Sequence, residues 1–327
     1  MTSQLLLLLL FSPQFILPHH HICLSVEAGF FRNFAPNGRI VDIATMNIFC
    51  QTTPIKRNEQ HIDSIDVSSS GQRIIYSLSS LEGNRWDGGL RLISKEGNLI
   101  CSKESPTGIS MVRFSGSRLL LAARDDGNVV MYSSDKLEEM QVFEAHDDIV
   151  SCINDDPHNE SQFASCGWDG SIYIWDWRLH TSKHAPLSTY SNSHNGYVND
   201  VKYSPFEANS FTSVGRDGLL RVWDKRVAPS SGCASIINVE QTCSCMSYDH
   251  LDQSILLVGT DAGDISIVDI RGSGSSPILS ENRLHKGRVR RITPSPSNYH
   301  GMFATASDDT TSVICCRETN QMKENTR

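Results

Sequence analysis

The sequence predicts an all-β protein made of repeated four-stranded units, and three observations carry that expectation. From about residue 60, short alternating runs of apolar and polar residues are separated by turns rich in Gly, Asp, Ser and Pro, with no long stretch of helical period. One segment recurs, an alternating strand entered from a turn, and its copies end at residues 94, 133, 176, 224, 269 and 315. Their spacings of 39, 43, 48, 45 and 46 residues match a propeller blade, roughly 40–45 residues with loop insertions. Finally, Asp126-Gly127, Asp169-Gly170 and Asp217-Gly218 precede their strands at equivalent offsets. An Asp-Gly pair between alternating runs is a hairpin signal, because Gly accepts positive φ without steric cost.

Taken in order, the strands are Gly89–Ser94, which is divergent, then Val129–Ser133, Ile172–Asp176, Leu220–Asp224 and Ile265–Asp269. A weaker one, Thr311–Cys315, follows. Upstream, Arg39-Ile40-Val41-Asp42-Ile43 reads as a strand able to close a ring. A ring removes the exposed sheet edges that invite aggregation. The expected organisation is an unassigned leader over 1–35, one propeller over 36–317 and a polar tail over 318–327.

A second register is sharper. His146 stands 29 residues before Trp175, His194 29 before Trp223, and His285 29 before Ile314. Between them sit Ser165 and Asp169, Ser213 and Asp217, and Thr305 and Asp309. Ser, His and Asp together could form a catalytic triad. Three copies at one spacing point instead to scaffolding, and the sequence has no Gly-x-Ser-x-Gly elbow, phosphate loop or His-Glu-x-x-His motif. Asp125-Asp126, Asp155-Asp156 and Asp308-Asp309 read as turn residues and not as an acid/base dyad. The expectation is a protein without catalytic residues, cofactor or metal.

Composition narrows the partners. The 327 residues are 39% hydrophobic with a formal net charge of −8, enough apolar content for a sizeable core and the wrong sign for phosphate-backbone binding. Lys286-Gly287-Arg288-Val289-Arg290-Arg291 is the one dense basic cluster. The ten cysteines include no CxxC pair and read as reduced, mostly buried thiols of an intracellular protein. Leu5 to Leu17 form an apolar run of signal-peptide length, without a preceding Lys or Arg or a clear Ala-x-Ala site. Pro13 and Pro18 make it a poor membrane span.

The His–Ser/Thr–Asp–Trp register, ending in Trp175-Asp176 and Trp223-Asp224, resembles the WD-repeat pattern. That resemblance implies a hydrogen-bonded Trp–Ser–His–Asp network in each complete blade and a ring that usually has seven blades. Six repeats are visible here, so either the ring has six blades or a seventh is missing or incomplete, and the second is the expectation. Further residues make the resemblance closer: the turn Ser79 to Leu90 containing Arg85-Trp86-Asp87, the segment Phe143 to Ser151, and the run Val258 to Asp269 in a repeat without the Trp. In that order they resemble the WD-repeat subunit of the methylosome, over roughly residues 60–316. The resemblance implies a non-catalytic adaptor, cytoplasmic and nuclear, that binds a type II protein arginine methyltransferase. Such an adaptor helps present Arg-rich substrates, histone tails and Sm proteins among them, for symmetric dimethylation. It implies that Trp86, expected in a hairpin tip, inserts into the enzyme with Arg85 beside it. No direct nucleic-acid or membrane contact is expected. The alternative is a substrate receptor of a cullin-type ubiquitin ligase, because Trp175-Asp176-Trp177-Arg178 and Trp223-Asp224-Lys225-Arg226 resemble the Trp-Asp-x-Arg docking box, echoed by Asp269-Ile270-Arg271.

Overall fold

Alternating strands joined by tight turns can bury their apolar faces only against other sheets. A computed structural model describes residues 22–28, 40–52, 61–82, 85–144, 146–179, 185–250, 252–271, 277–294 and 302–317. For 22–28, 40–52, 81–82, 85–86 and 316–317 it describes the backbone alone. The apolar run Leu5 to Leu17 and the tail beyond 317 lie outside the described residues.

Two strands, β1 (Ile22–Ala28) and β2 (Ile40–Thr52), precede the first complete sheet. That sheet is β3 (His61–Val67), β4 (Arg73–Glu82), β5 (Arg85–Ser94) and β6 (Leu99–Ser105). The second is β7 (Ile109–Ser115), β8 (Leu119–Arg124), β9 (Asn128–Ser133) and β10 (Glu139–Glu144). The third is β11 (Val150–Asp155), β12 (Gln162–Gly167), β13 (Ile172–Asp176) and β14 (Ser188–Tyr190). The fourth is β15 (Val198–Tyr203), β16 (Ser210–Gly215), β17 (Leu219–Asp224) and β18 (Ser235–Asn238). The fifth is β19 (Cys243–Tyr248), β20 (Ile255–Thr260), β21 (Asp264–Asp269) and β22 (Ile278–Arg283). The sixth holds β23 (Val289–Pro294), β24 (Met302–Ser307) and β25 (Thr311–Arg317), with β2 and then β1 added at its outer edge. Each complete sheet is an antiparallel meander. The arrangement is a six-bladed β-propeller. Of the stretch expected to close the ring, Ile40–Ile43 open β2, which pairs with β25 through Asp42 and Cys315, and Arg39 lies outside the described residues.

The inner strand of each sheet packs on the inner strand of the next, from β3 against β7 through to β19 against β23. The seam between β23 and β3 is looser: their backbones do not run side by side as the other five pairs do. Ile62 and Ile65 of β3 are 41% and 47% exposed there, while the apolar residues of the other inner strands are buried. The charge of Arg290 on β23 reaches Asp63 of β3 across this seam.

Between the sheets lie separate apolar cores. The largest spans sheets two to four and is built around Phe143, Phe163, Trp175, Tyr190, Phe211 and Trp223. Phe143 meets both Phe163 and Trp175 edge-on, a favourable arrangement of ring quadrupoles. Cys101, Cys152, Cys166, Cys233, Cys243 and Cys245 are free thiols, and Cys152, Cys166, Cys243, Cys245 and Cys315 are buried as small groups.

Candidate functional site

The Asp-Gly hairpins fold as their residue types dictate. Gly127, Gly170 and Gly218 take φ of 84°, 75° and 74°. Directly before two of them lie the quartets. His146 Nε2 is 2.8 Å from Ser165 Oγ, and Trp175 Nε1 donates to that same oxygen at 2.9 Å. On its other side, His146 Nδ1 lies 3.0 Å from Asp169 Oδ2. The fourth sheet repeats this with His194, Ser213, Trp223 and Asp217, at 2.7, 2.9 and 2.8 Å. A carboxylate can only accept, so Nδ1 of a neutral ring carries the hydrogen and Nε2 accepts from the serine hydroxyl. Each serine therefore receives the indole N–H and passes its own hydrogen to the histidine.

The electrostatics follow from burial and these partners. Burial pulls His194 below its ordinary value, with Asp217 opposing. Burial would raise Asp169, but the His146 hydrogen bond and charge, with the backbone N–H groups of Ser171 and Asp147, hold it below the usual range. Asp217 is held well below that range by the same kind of partners. Ser165 and Ser213 are fully buried, and Trp175 and Trp223 close over them. The arrangement has triad-like distances, but a substrate could reach neither serine without parting two sheets. What it does is clamp the loop before an inner strand onto the neighbouring hairpin.

Two residues essential to this packing went unremarked in the sequence. A Cβ on Gly167 would stand 2.7 Å from His146 Nδ1, and one on Gly215 would stand 2.6 Å from His194 Nδ1. Their shared Gly-x-Asp-Gly context was the available signal. The sixth sheet lacks this glycine and has Ser307 in its place. There His285 Nε2 lies 2.7 Å from Thr305 Oγ1, but Nδ1 is 2.9 Å from Thr311 Oγ1 and 3.3 Å from Asp309. Asp309 instead accepts the amides of Lys286 and Thr311. Strand register corrects the expected alignment as well. Phe163 pairs with Trp175, and its counterpart Phe303 pairs with Cys315, so Cys315 and not Ile314 holds the tryptophan position.

A second set of stitches was also missed. Asp66, Asn154 and Asp200, all on inner strands, accept the amides of Phe114, Tyr203 and Met246 in the following sheet, at 2.8, 2.8 and 2.9 Å. Asp200 also faces Lys202 Nζ at 3.1 Å and takes the Cys152 thiol at 3.0 Å. Asp156 is more than a turn residue: it caps the His158 amide and pairs with Lys225 at 2.5 Å from the fourth sheet.

The expected docking residues fall elsewhere. Trp86 and Arg85 lie on β5, with Trp86 opposite Leu81 and Arg85 opposite Glu82, so Trp86 extends the ladder instead of occupying the tip. Their side chains lie outside the described residues. Strands β4 and β5 are ten residues each, the longest hairpin of the five complete sheets. Of the Trp-Asp-x-Arg candidates, Arg226 and Arg271 fold back onto Asp224 and Asp269 at 2.6 and 2.7 Å. Arg178 lies over the ring of Trp177 at 5.1 Å. In the basic cluster, Arg288 pairs with Asp261 and Arg290 with Asp308.

Comparison with known proteins agrees with the geometry. The family model "WD domain, G-beta repeat" matches residues 137–176 and 185–224, the two segments that end in Trp175-Asp176 and Trp223-Asp224. The chain is also similar to a "Ribosome biogenesis protein WDR12 homolog" of Chlamydomonas reinhardtii, 26% identical over an alignment of 257 residues that covers 69% of this chain and 58% of that protein. The chain thus spans a little over half the length of that relative. These matches agree with the six-sheet arrangement and its hydrogen-bonded quartets: the fold is a β-propeller that carries WD repeats.

Proposed function

We propose that this propeller is an adaptor for a type II protein arginine methyltransferase, docking through the β4–β5 hairpin. The observation that supports the reading is the extended hairpin carrying Arg85-Trp86-Asp87 close to its turn, on a first sheet free of the His–Ser–Asp quartet. A large aromatic on a projecting ladder is the type of residue that dominates protein interfaces. The chain's acidity suits Arg-rich clients such as histone tails and Sm proteins, through steering of cationic segments. On this reading the protein works in cytoplasm and nucleus and leaves the chemistry to its partner.

The test is co-precipitation of the purified chain with such a methyltransferase. Wild type is expected to bind, Trp86→Ala to lose binding, and Arg178→Ala with Arg226→Ala to keep it. A wild-type chain that ignores the enzyme would sink the proposal. A second reading, a scaffold in ribosome biogenesis, is favoured by the name of the Chlamydomonas relative. Affinity purification from the native source separates the two, by recovering either a methyltransferase or ribosome-assembly proteins.

A further inference from the structure

The turn between β12 and β13 carries a large aromatic that stands outside the buried cores. Trp168 follows Gly167 in the hairpin turn of the third sheet and is 38% exposed. Its ring stacks on Tyr197, from the loop entering the fourth sheet, with centroids 4.6 Å apart and planes 13° from parallel. Tyr197 also carries the Arg216 guanidinium over its ring at 5.3 Å. The backbone fixes both ends: Trp168 N–H donates to Ile149 O and Arg216 N–H donates to Tyr197 O, each at 2.9 Å. The result is a pre-ordered shelf running from one sheet to the next, ending in an indole that is partly open to solvent.

The surrounding charge says what suits that indole. Asp126 is matched by Arg124, Asp169 by His146, and Asp217 by His194 and Arg221. Asp147 and Asp148 are exposed and form no ion pair among the described residues. They sit in the loop whose next residue, Ile149, accepts the Trp168 amide. Beside Trp168 a pocket of about 350 Å³ is lined also by Asn192, Asn195 and Arg221. The Arg221 guanidinium is taken by Ser193 O and Asp217. This leaves an aromatic face, two unmatched carboxylates against one unmatched cation, Arg216, that is itself stacked on Tyr197, and two amides able to bond a peptide backbone. A planar guanidinium stacks on such a face better than an ammonium does.

We propose that the Trp168–Tyr197 shelf binds an arginine side chain of a partner polypeptide, stacked on the indole and held in place by Asp147 and Asp148. This site is two sheets away from the β4–β5 hairpin and does not depend on which partner docks there.

The test is fluorescence anisotropy of the full chain with a labelled Gly-Arg-Gly-Arg-Gly peptide, its citrulline counterpart and a short single-stranded oligouridylate. Binding of the arginine peptide should weaken as salt rises, because part of the attraction is between exposed charges. Trp168→Ala should weaken it about tenfold, the loss of one partly desolvated cation–π stack. Trp168→Phe should retain most of the affinity, and Asp147→Asn with Asp148→Asn should lower affinity and flatten the salt dependence. Circular dichroism checks that each variant is folded, and the Asp pair keeps the test decisive if Trp168→Ala is not. Equal binding of the citrulline peptide, undiminished binding by folded Trp168→Ala, or stronger binding of the oligonucleotide would overturn the proposal.

Discussion

The third and sixth sheets carry the same clamp built to different standards. In the third, a buried indole, a serine, a histidine and an aspartate form one unbroken chain of hydrogen bonds. In the sixth, Cys315 replaces the indole, Ser307 replaces the glycine beneath the imidazole, and His285 turns part of its bonding to Thr311. The hairpin differs too. The third sheet places Gly170 at φ 75°, whereas the sixth forces a β-branched residue, Thr310, to φ 66°. The difference teaches that the backbone can hold this clamp with half of its usual side chains. It also locates the weaker clamp in the sheet beside the loosest seam of the ring.

Mutations can break or sharpen that contrast. Ser165→Ala removes the oxygen shared by Trp175 and His146 and should lower unfolding free energy by about 2–4 kcal/mol, since two buried polar groups lose that partner. Thr305→Val in the sixth sheet should lower it by about 1–2 kcal/mol, because the bond with His285 and a long one, 3.4 Å, to Val313 O are removed but no indole loses a partner. Urea denaturation midpoints of the two variants measure both, and equal effects would erase the distinction. Thr310→Gly relieves a strained left-handed residue and should stabilise the chain by about 1 kcal/mol, whereas Gly170→Thr should destabilise it. The smallest expected effect is a pH dependence in the fourth sheet. His194 holds its proton less readily when folded than its ordinary value of 6.5, so unfolding takes up a proton. That contribution is complete well above pH 6.5 and is lost as pH falls below it. Protection factors of β16 and β17 amides, referred to the intrinsic exchange rate at each pH, should fall between pH 7.5 and 5.5, and unchanged protection there would refute this assignment.

Much of the ring was legible in the sequence. Trp175, Trp223 and the Asp-Gly turns repeat with identical residue types at fixed spacing, and a repeat needs no long-range information to be seen. The sixth sheet was misread by one position because the loop from His285 to Thr305 is one residue longer than that from His146 to Ser165. Counting a constant 29 residues then lands on Ile314 instead of Cys315. Gly167 and Gly215 escaped notice because their requirement comes from an imidazole some twenty residues away in sequence. Asp200 was unreadable for a similar reason: its partners Cys152 and Met246 lie 48 and 46 residues distant, on other sheets. The β4–β5 hairpin was recognised, but the ladder beyond Ser80 could not be foreseen from a Gly- and Asn-rich turn.

The sixth sheet also bears on the order of assembly. It joins β23–β25, from residues 289–317, to β2, from residues 40–52. The other five sheets are made of neighbouring strands and can form in sequence as the polypeptide leaves the ribosome, each one docking on its predecessor. The composite sheet must wait until both segments exist, and it carries the largest loop-closure entropy in the molecule. Final closure is thus the step at which a nascent chain is most open to chaperone capture.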